Sequence, residues 1–405
     1  MTLLNLDEPI PRVAKWYQLH HAPVLMLAFR PLFLLGSLWA CSAMLVWFAI
    51  LSGYLNWSAP YPATLWHAHE MIFGFASAIA IGFLFTAAKN WTGVSTLNGW
   101  PLLGLCVVWS SARIAGVWSA QPLLWLIVLQ GAFWLIAICH FTWVVVQVHN
   151  SKNYLFVPVL ALLATLNIVF IVVLDLQAFE LAGLLSQMAV LGFTILISIL
   201  GGRVIPFFIS RGLGLAQQQR TPRLDKLLLL VSLTGVAGFF AHHFMQLTVM
   251  PGYLLILAGL LHLARAAAWF QRRLFMVPLL WSLYLAYLMM ALGLIGFGSA
   301  YFNTSWQAKD ALHLITIGGM GMMILAMMAR VALGHTARPL TPHPLMSVAF
   351  LLILTSALIR SMLPTYIGAH LAWQLSALIW SASFALFVFI YAPMLVVKRR
   401  DGRRG

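Results

Sequence analysis

Twelve apolar stretches, each long enough to cross the hydrocarbon core of a bilayer, constrain the fold of this chain more than any other feature. A transmembrane helix needs about 20 consecutive apolar residues, because each residue advances the helix by about 1.5 Å. Polar breaks separate the stretches, which cover residues 28–51, 66–88, 100–118, 122–148, 154–174, 179–200, 226–246, 250–268, 275–299, 311–333, 345–363 and 368–396. The predicted fold class is therefore all-α, a polytopic membrane helix bundle of about 12 transmembrane helices.

Hydrophobic residues make up 62% of the chain and charged residues only 8%, whereas about a quarter of a soluble protein is charged. So few polar side chains cannot cover a water-soluble surface, and the lipid bilayer is the expected partner of most helices. The predicted organisation is a cytoplasmic N-terminal segment (1–27), a single transmembrane domain (28–396) and a basic cytoplasmic tail (397–405). The first segment does not have the pattern of a cleavable signal peptide, so the first span is expected to direct insertion.

The net charge of +15 is distributed unevenly along the predicted topology. With a cytoplasmic N-terminus, all of the 23 Lys and Arg residues except Arg113, Lys309 and Arg360 fall on the cytoplasmic side. This is the positive-inside pattern of membrane proteins. It predicts a multi-pass protein of the bacterial inner (cytoplasmic) membrane with both termini in the cytoplasm, and it leaves no excess charge that would indicate a nucleic-acid partner.

Two classes of transport protein are disfavoured by missing features. The chain has no glycine-rich nucleotide loop after a strand, which excludes a pump that hydrolyses nucleotides by itself. The acidic residues near the membrane interior, Glu70, Asp175, Glu180 and Asp310, all fall toward the outer ends of predicted spans. Proton-coupled carriers usually need a carboxylate near the midplane, so this pattern argues against a proton-coupled carrier.

Histidines are the residues most able to carry chemistry, with 13 in a chain that has few polar groups. The predicted topology places six toward the outer face: His67, His69, His242, His243, His313 and His370. His67, His69, His313 and His370 begin spans whose N-terminal ends point outward, where the helix field disfavours imidazolium and keeps a nitrogen lone pair available. We predict that these four bind a cofactor or metal, with His243 as a further candidate. The alternative is that they are interfacial residues, like the tryptophans and tyrosines at membrane surfaces.

Helix geometry limits how these histidines can act together. His67 and His69 point about 200° apart on a helix, so both reach one iron only if the helix begins late. His67 and Glu70 are three residues apart and share a face, which predicts that the Glu70 carboxylate orients the His67 ring. Asp310, three residues before His313, is a predicted N-cap of the tenth span.

Arg113 and Arg360 lie in the predicted outer half, at a depth similar to that of the histidines. An arginine fork matches a carboxylate, so both are predicted cofactor-binding residues that would hold the propionates of a haem. The alternative is that their side chains snorkel to the interface.

The tenth span carries a second pattern that a cofactor could use. Met320, Met323 and Met327 recur at helical spacing, which suits either copper(I) ligation or ordinary packing. Glycines between residues 318 and 321 would let another helix or a flat macrocycle approach closely.

Several longer motifs are shared with one known family. They are Phe29-Arg30-Pro31-Leu32-Phe33, Trp66 through Phe75, Asn90-Trp91-Thr92-Gly93, Gly99-Trp100-Pro101-Leu102, Gly201 through Phe208, and His313 followed by residues 318–323 and 330–340. With these motifs in this order, the chain resembles the NnrS-type membrane proteins, which are haem- and copper-associated polytopic proteins linked to nitric oxide and denitrification. The motifs extend from the first span to the loop after the tenth, so the resemblance covers nearly the whole chain.

The resemblance implies haem b as the cofactor, copper as an additional candidate and nitric oxide as the ligand. It implies an inner-membrane protein of the nitric oxide and nitrosative stress response. Such a protein reduces or scavenges nitric oxide at ferrous haem with electrons from quinol, or only buffers and senses it. Two alternatives are a metal or small-molecule transporter without a permanent cofactor and a maturation factor for a denitrification enzyme.

The sequence departs from the family pattern at two places. The His-Leu-Gly-Tyr run of the ninth span is Tyr284-Leu285-Ala286-Tyr287 here, so a phenol replaces a family histidine. Ala337 replaces a glycine of the Gly-His-Thr-Gly-Arg pattern, a small change that we expect to be tolerated. His335 of that pattern falls at the inner end of its span, where we expect it to cap a helix or contact the Arg338 loop.

Overall fold

A computed structural model describes residues 19–118, 123–216, 219–248, 250–302 and 306–403 of the chain. In this described part, twelve helices are long and apolar enough to cross a membrane. They are α1 (Phe29–Leu51), α2 (Ala63–Thr92), α3 (Gly99–Trp118), α4 (Leu124–Gln147), α5 (Phe156–Asp175), α6 (Phe179–Leu213), α7 (Pro222–Phe244), α8 (Pro251–Trp269), α9 (Pro278–Ser299), α10 (Ala308–His335), α11 (Pro344–Met362) and α12 (Ala369–Val396). The described residues form no β-strand, so the predicted polytopic helix bundle is confirmed.

The sixth helix is much longer than the sequence predicts. The prediction ended this span at residue 200 and began a loop at Arg203, but α6 continues to Leu213. The Arg203 guanidinium donates to Asn153 Oδ1 and to the Lys152 carbonyl, both at 2.7 Å, so a charged residue is accommodated within the helix. The helix ends at Gly214, whose φ of 66° lies in the left-handed region that glycine adopts without strain.

Four helices form the centre of the bundle. Within the most apolar 18 residues of each helix, the buried share is 83% in α2, 78% in α10 and 67% in both α6 and α9. The corresponding share is 33% in α1, α4 and α7. The outward side chains of the peripheral helices, such as Trp125, Leu135 and Phe389, are large, apolar and exposed. A soluble protein rarely presents so much apolar surface, and these faces therefore contact the lipid bilayer.

The glycines of α10 are packed against neighbouring helices. A Cβ atom on Gly319 would lie 2.9 Å from Met290 Cβ of α9, and one on Gly321 would lie 2.5 Å from the Trp380 ring of α12. Because a real Cβ atom essentially never comes this close to a non-bonded atom, both positions need glycine. Of the two predicted roles for these glycines, the approach of other helices is the one observed.

Several parts of the predicted organisation lie outside the described residues. They are residues 1–18 of the predicted N-terminal segment, residues 404–405 of the predicted tail, and residues 119–122, 217–218, 249 and 303–305, which fall between predicted spans or at their ends. Because successive helices cross the bundle in opposite directions, α2 and α10 both begin at one end, at Ala63 and Ala308. We call this end of the bundle the histidine end.

Candidate ligand-binding site at the histidine end

The two helices that carry the predicted ligands share an unusual backbone. In α2 a π-helical segment, Glu70–Ala76, begins directly after His69, and in α10 another, Leu314–Gly321, begins directly after His313. π-Helical segments are rare and occur frequently at functional sites. Each one widens the helix and changes the direction in which the following side chains point.

His67 and His313 line one cavity between α2 and α10, with a volume of about 310 Å³. Side chains of α1, α6, α9, α11 and α12 complete its wall, which is apolar except for a few polar groups. We call it the histidine cavity. Concave, mostly apolar walls with a few convergent polar groups are typical of ligand sites.

The hydrogen bond made by His313 fixes which ring nitrogen is available. His313 Nδ1 lies 2.6 Å from the Lys309 carbonyl, one turn earlier on α10. A carbonyl only accepts, so Nδ1 must carry the proton and donate. Nε2 therefore keeps its lone pair. This tautomer, with one ring nitrogen bound to a backbone carbonyl, is the usual arrangement of a metal-binding histidine.

His67 is held by stacking. Its ring lies 4.8 Å from the Trp47 ring, with an angle of 16° between the two planes. Neither of its nitrogens makes a hydrogen bond within the described part of the chain, so both can meet a ligand in the histidine cavity.

Two cations lie beside these histidines. Arg360 of α11 donates from Nη1 to Asp310 Oδ1 at 2.6 Å, and Lys309 pairs with no carboxylate among the described residues. Both stack on Trp373, with the Arg360 guanidinium carbon 4.9 Å and Lys309 Nζ 5.5 Å from the ring centroid. With Asp310 neutralising Arg360, the group retains one positive charge, which favours an anionic ligand group.

The Asp310 side chain does not cap its helix. Gln307 occupies the N-cap position, and Asp310 lies in the first turn with its carboxylate bound to Arg360. The N-cap prediction is wrong because the helix begins earlier than expected, which frees this carboxylate to hold a cation of the cavity wall.

His69 belongs to a separate buried network on the other side of α2. Its Nδ1 lies 2.7 Å from Glu70 Oε1, and its Nε2 lies 3.2 Å from Asn167 Oδ1 and 3.4 Å from Gln130 Nε2. Glu70 Oε2 accepts from Arg113 Nη1 at 2.9 Å. His69 does not line the histidine cavity.

Glu70 does not orient His67. The prediction assumed a regular α-helix through residue 70, whereas the π-helical segment begins there and turns the carboxylate toward His69 and Arg113. The expectation that Glu70 supports His67 is therefore wrong.

The two predicted arginines are both buried, with only 2% of Arg113 and 7% of Arg360 exposed. Snorkelling to the interface is thus excluded for both. Arg360 lines the histidine cavity, but Arg113 pairs with Glu70 outside it.

His243 and His370 also lie outside the histidine cavity. His243 Nε2 is 2.7 Å from the Tyr301 hydroxyl, near the end of α7. His370, at the start of α12, is exposed. The structure thus brings together His67 and His313 of the four predicted ligands.

Among the residues of this cavity that sequence reasoning missed are Lys309, Trp47 and Trp373. Lys309 had a usable signal, because it stands four residues before His313 and so shares its helix face. The two tryptophans had none, since their contacts lie between separate helices, whose packing the sequence pattern does not reveal.

Tyr61 anchors the start of α2. Its hydroxyl donates to the Gly116 carbonyl at 2.9 Å, and its own carbonyl accepts from Trp57 Nε1 at 2.7 Å. Burial, and secondarily the Glu70 carboxylate, raise the pKa of Tyr61 above its usual range. The phenol therefore keeps its proton at neutral pH and remains a donor.

The two departures from the family motifs, Tyr284 and Ala337, do not line the histidine cavity, and neither does the motif residue His335. The Tyr284 hydroxyl donates to the Ala266 carbonyl at 3.2 Å. His335, in the last turn of α10, packs 5.5 Å from the Phe29 ring, and its Nε2 lies 3.5 Å from Asn90 Nδ2.

Fold and site together define a helical membrane protein whose described residues form twelve candidate spans, with a mostly apolar cavity that carries a few polar groups inside one end of the bundle. The family model described as NnrS protein matches residues 23–399, and the chain belongs to the NnrS family. Membership of this family associates the protein with the response to nitric oxide. The comparison with curated proteins gave no match.

Proposed function

We propose that this chain is a haem-binding membrane protein that takes up nitric oxide in the histidine cavity. The observation that carries the proposal is the His313 tautomer, in which the hydrogen bond to the Lys309 carbonyl leaves Nε2 free for a metal. His67 supplies a second imidazole to the same cavity. Imidazole is a common axial ligand of haem iron.

The charges around the cavity fit a haem. Arg360 Nε and Nη2 donate to no residue in the described part of the chain, and Lys309 has no acidic partner there. In the proposal these cations hold the propionates. The apolar remainder of the wall suits a macrocycle.

Copper fits less well as the resident metal. Nowhere in the described ranges do three His, Cys, Asp or Glu side chains converge, so copper would need thioethers beside the two imidazoles. Met44, Met71 and Met320 line the cavity and are soft ligands of the kind copper(I) accepts. Copper is therefore the second cofactor candidate.

Ferrous haem would supply the metal to which nitric oxide binds. The protein's own groups would orient the imidazoles and hold the propionates, and the apolar wall would exclude water from the cavity. Nitric oxide is uncharged and partitions into membranes, so it can enter such a cavity. A further form of the proposal adds turnover, in which quinol gives two electrons and two protons to two nitric oxide molecules, yielding nitrous oxide, water and quinone.

An absorption spectrum with metal analysis of the purified protein tests the proposal. We expect a Soret band that shifts with carbon monoxide or nitric oxide. In the His313→Ala variant, haem content should fall by at least about tenfold, because loss of even a residue that only supports a metal ligand typically costs about 10–100-fold in metal affinity. His370→Ala, at an exposed position, is the matched control and should retain its haem.

Full haem occupancy in both His313→Ala and His67→Ala would overturn the site. Colourless parent protein that moves metal ions into liposomes would replace the proposal with a transporter. Parent protein that binds neither haem nor metal would replace it with a maturation factor.

We also propose that the histidine end faces the periplasm and that both termini are cytoplasmic. The support is the positive-inside pattern, since the topology predicted from the sequence places only Arg113, Lys309 and Arg360 of the 23 Lys and Arg residues toward the outer face. Alkaline phosphatase fused after Tyr54 should be active, and green fluorescent protein fused after Thr341 should fluoresce. The opposite pair of results would reverse the orientation.

A further inference from the structure

A second, deeper cavity lies between α2, α6 and α10, with a volume of about 80 Å³. Every residue that lines it is Gly, Ala, Val, Ile, Leu, Met or Phe. No lining side chain offers a charge or a strong hydrogen-bonding group. We call it the deep cavity.

The deep cavity adjoins the histidine cavity, because Ala76, Met320 and Ile324 line both. Along α6 the lining of the deep cavity runs from Phe193 to Val204, which corresponds to about 16 Å of helix at 1.5 Å per residue. The two neighbouring cavities together extend from the His67 and His313 end toward the opposite end of the bundle.

Small side chains keep this space open. Ala76 and Ala80 of α2 line the deep cavity at positions where larger apolar residues would fill the void. Protein interiors are close-packed and contain few voids larger than a water molecule. The deep cavity lies between α2, α6 and α10, which are among the most buried helices of the bundle. We therefore expect it to hold a ligand.

Size and polarity restrict what can occupy it. Apolar cavities stay dry and take up apolar guests, and one of about 150 Å³ accepts xenon or benzene. A cavity of about 80 Å³ is large enough for xenon or a diatomic gas but small for a quinone ring. Ions and water would find no polar partner there. The thioethers of Met320, Met323 and Met327 add polarizable contacts.

We propose that the deep cavity binds small uncharged gas molecules and passes them to the histidine cavity. The second half of this proposal rests on the proposed function, because it gives the gas a destination at His67 and His313. The first half depends only on the shape and chemistry of the deep cavity.

Crystals of the protein pressurised with xenon test the first half. We expect an anomalous difference peak between Ala80, Phe193 and Met323. The peak should disappear in Ala80→Phe, which fills the deep cavity, and remain in Ala264→Phe, a matched change at an exposed position on α8. If Ala80→Phe does not fold, the presence or absence of the xenon peak in the parent protein decides whether the deep cavity binds gas. Absence of xenon from the parent, or density there for a copper ion or an acyl chain, would overturn the assignment.

Rebinding of carbon monoxide after flash photolysis tests the second half on haem-containing protein. Bimolecular rebinding should slow several-fold in Ala80→Phe and stay at the parental rate in Ala264→Phe. If the deep cavity binds xenon but the protein binds no haem, the proposed function is refuted and the binding of gas in the deep cavity is supported. Haem-containing protein without a xenon peak and with unchanged rebinding would refute the inference and leave the proposed function standing.

Discussion

Replacing Arg113 with leucine is expected to lower the free energy of unfolding by about 3–5 kcal/mol, the usual cost of removing one partner from a buried ion pair. The change leaves the Glu70 carboxylate fully buried without its cation. Trp39 Nε1, at 2.8 Å, would still donate to it, as would His69, but neither is a permanent cation. Denaturant titration in mixed micelles should show the loss, with membrane insertion unchanged.

The reciprocal change and the double variant separate the ion pair from simple packing. Glu70→Gln leaves a buried guanidinium whose Nε and Nη2 already have no partner among the described residues. The double variant Glu70→Gln/Arg113→Leu removes both charges, so its loss should be smaller than the sum of the single losses. Strictly additive losses would show that the two charges do not stabilise one another.

An exposed ion pair of the same chain provides the control. Arg399 Nη2 lies 2.7 Å from Asp401 Oδ2, and its hydrogen bond lowers the pKa of Asp401 to about 2. Solvent screens exposed pairs, which contribute little to stability. Asp401→Asn should therefore leave the denaturation midpoint unchanged.

The fold could be predicted from sequence because the length of an apolar helix is a local property. Each span needs only enough apolar residues to cross the bilayer, and polar breaks mark where it ends. The exception, α6, shows the limit of that reasoning. Asn153 and the Lys152 carbonyl satisfy Arg203, and such a contact between separate segments cannot be read from the apolar pattern.

The depth of the candidate site was also predictable, since helix direction placed the histidines at one end. Which side chains face one another was not. The π-helical segments after His69 and His313 have no recognised sequence signature, and they redirect Glu70 from His67 to His69. The pairing of Glu70 with Arg113 depends on α3 packing beside α2, which is decided by the whole bundle.

A second buried polar cluster, near the opposite end of the bundle, includes Tyr287 of the ninth-span motif that departs from the family. Arg265 of α8 donates from Nε to the Tyr287 hydroxyl at 2.7 Å and from Nη2 to the Ser198 carbonyl at 2.9 Å. Its Nη1 pairs with Asp225 Oδ1 at 3.0 Å. The Tyr287 hydroxyl, which accepts from Arg265, is also hydrogen-bonded to His262 Nδ1. Because that oxygen already accepts from Arg265, its own proton is directed to His262.

Removing Arg265 should therefore be costly. Arg265→Met is expected to lower the free energy of unfolding by about 3 kcal/mol, the lower end of the range for a broken buried pair, because the Asp225 side chain is 37% exposed and water screens it. Tyr287→Phe removes only the hydroxyl and leaves His262 Nδ1 without its donor, so about 1–3 kcal/mol is expected. Denaturant titration in mixed micelles measures both losses.

Arg273→Met is the matched control, because Arg273 is an exposed arginine just beyond the end of α8. It receives the same substitution without breaking a buried contact, so its denaturation midpoint should equal that of the parent. If Arg265→Met were as stable as Arg273→Met, the cluster would not hold α8 against α6 and α9. If Tyr287→Phe cost more than Arg265→Met, the hydroxyl, not the guanidinium, would be the centre of the cluster.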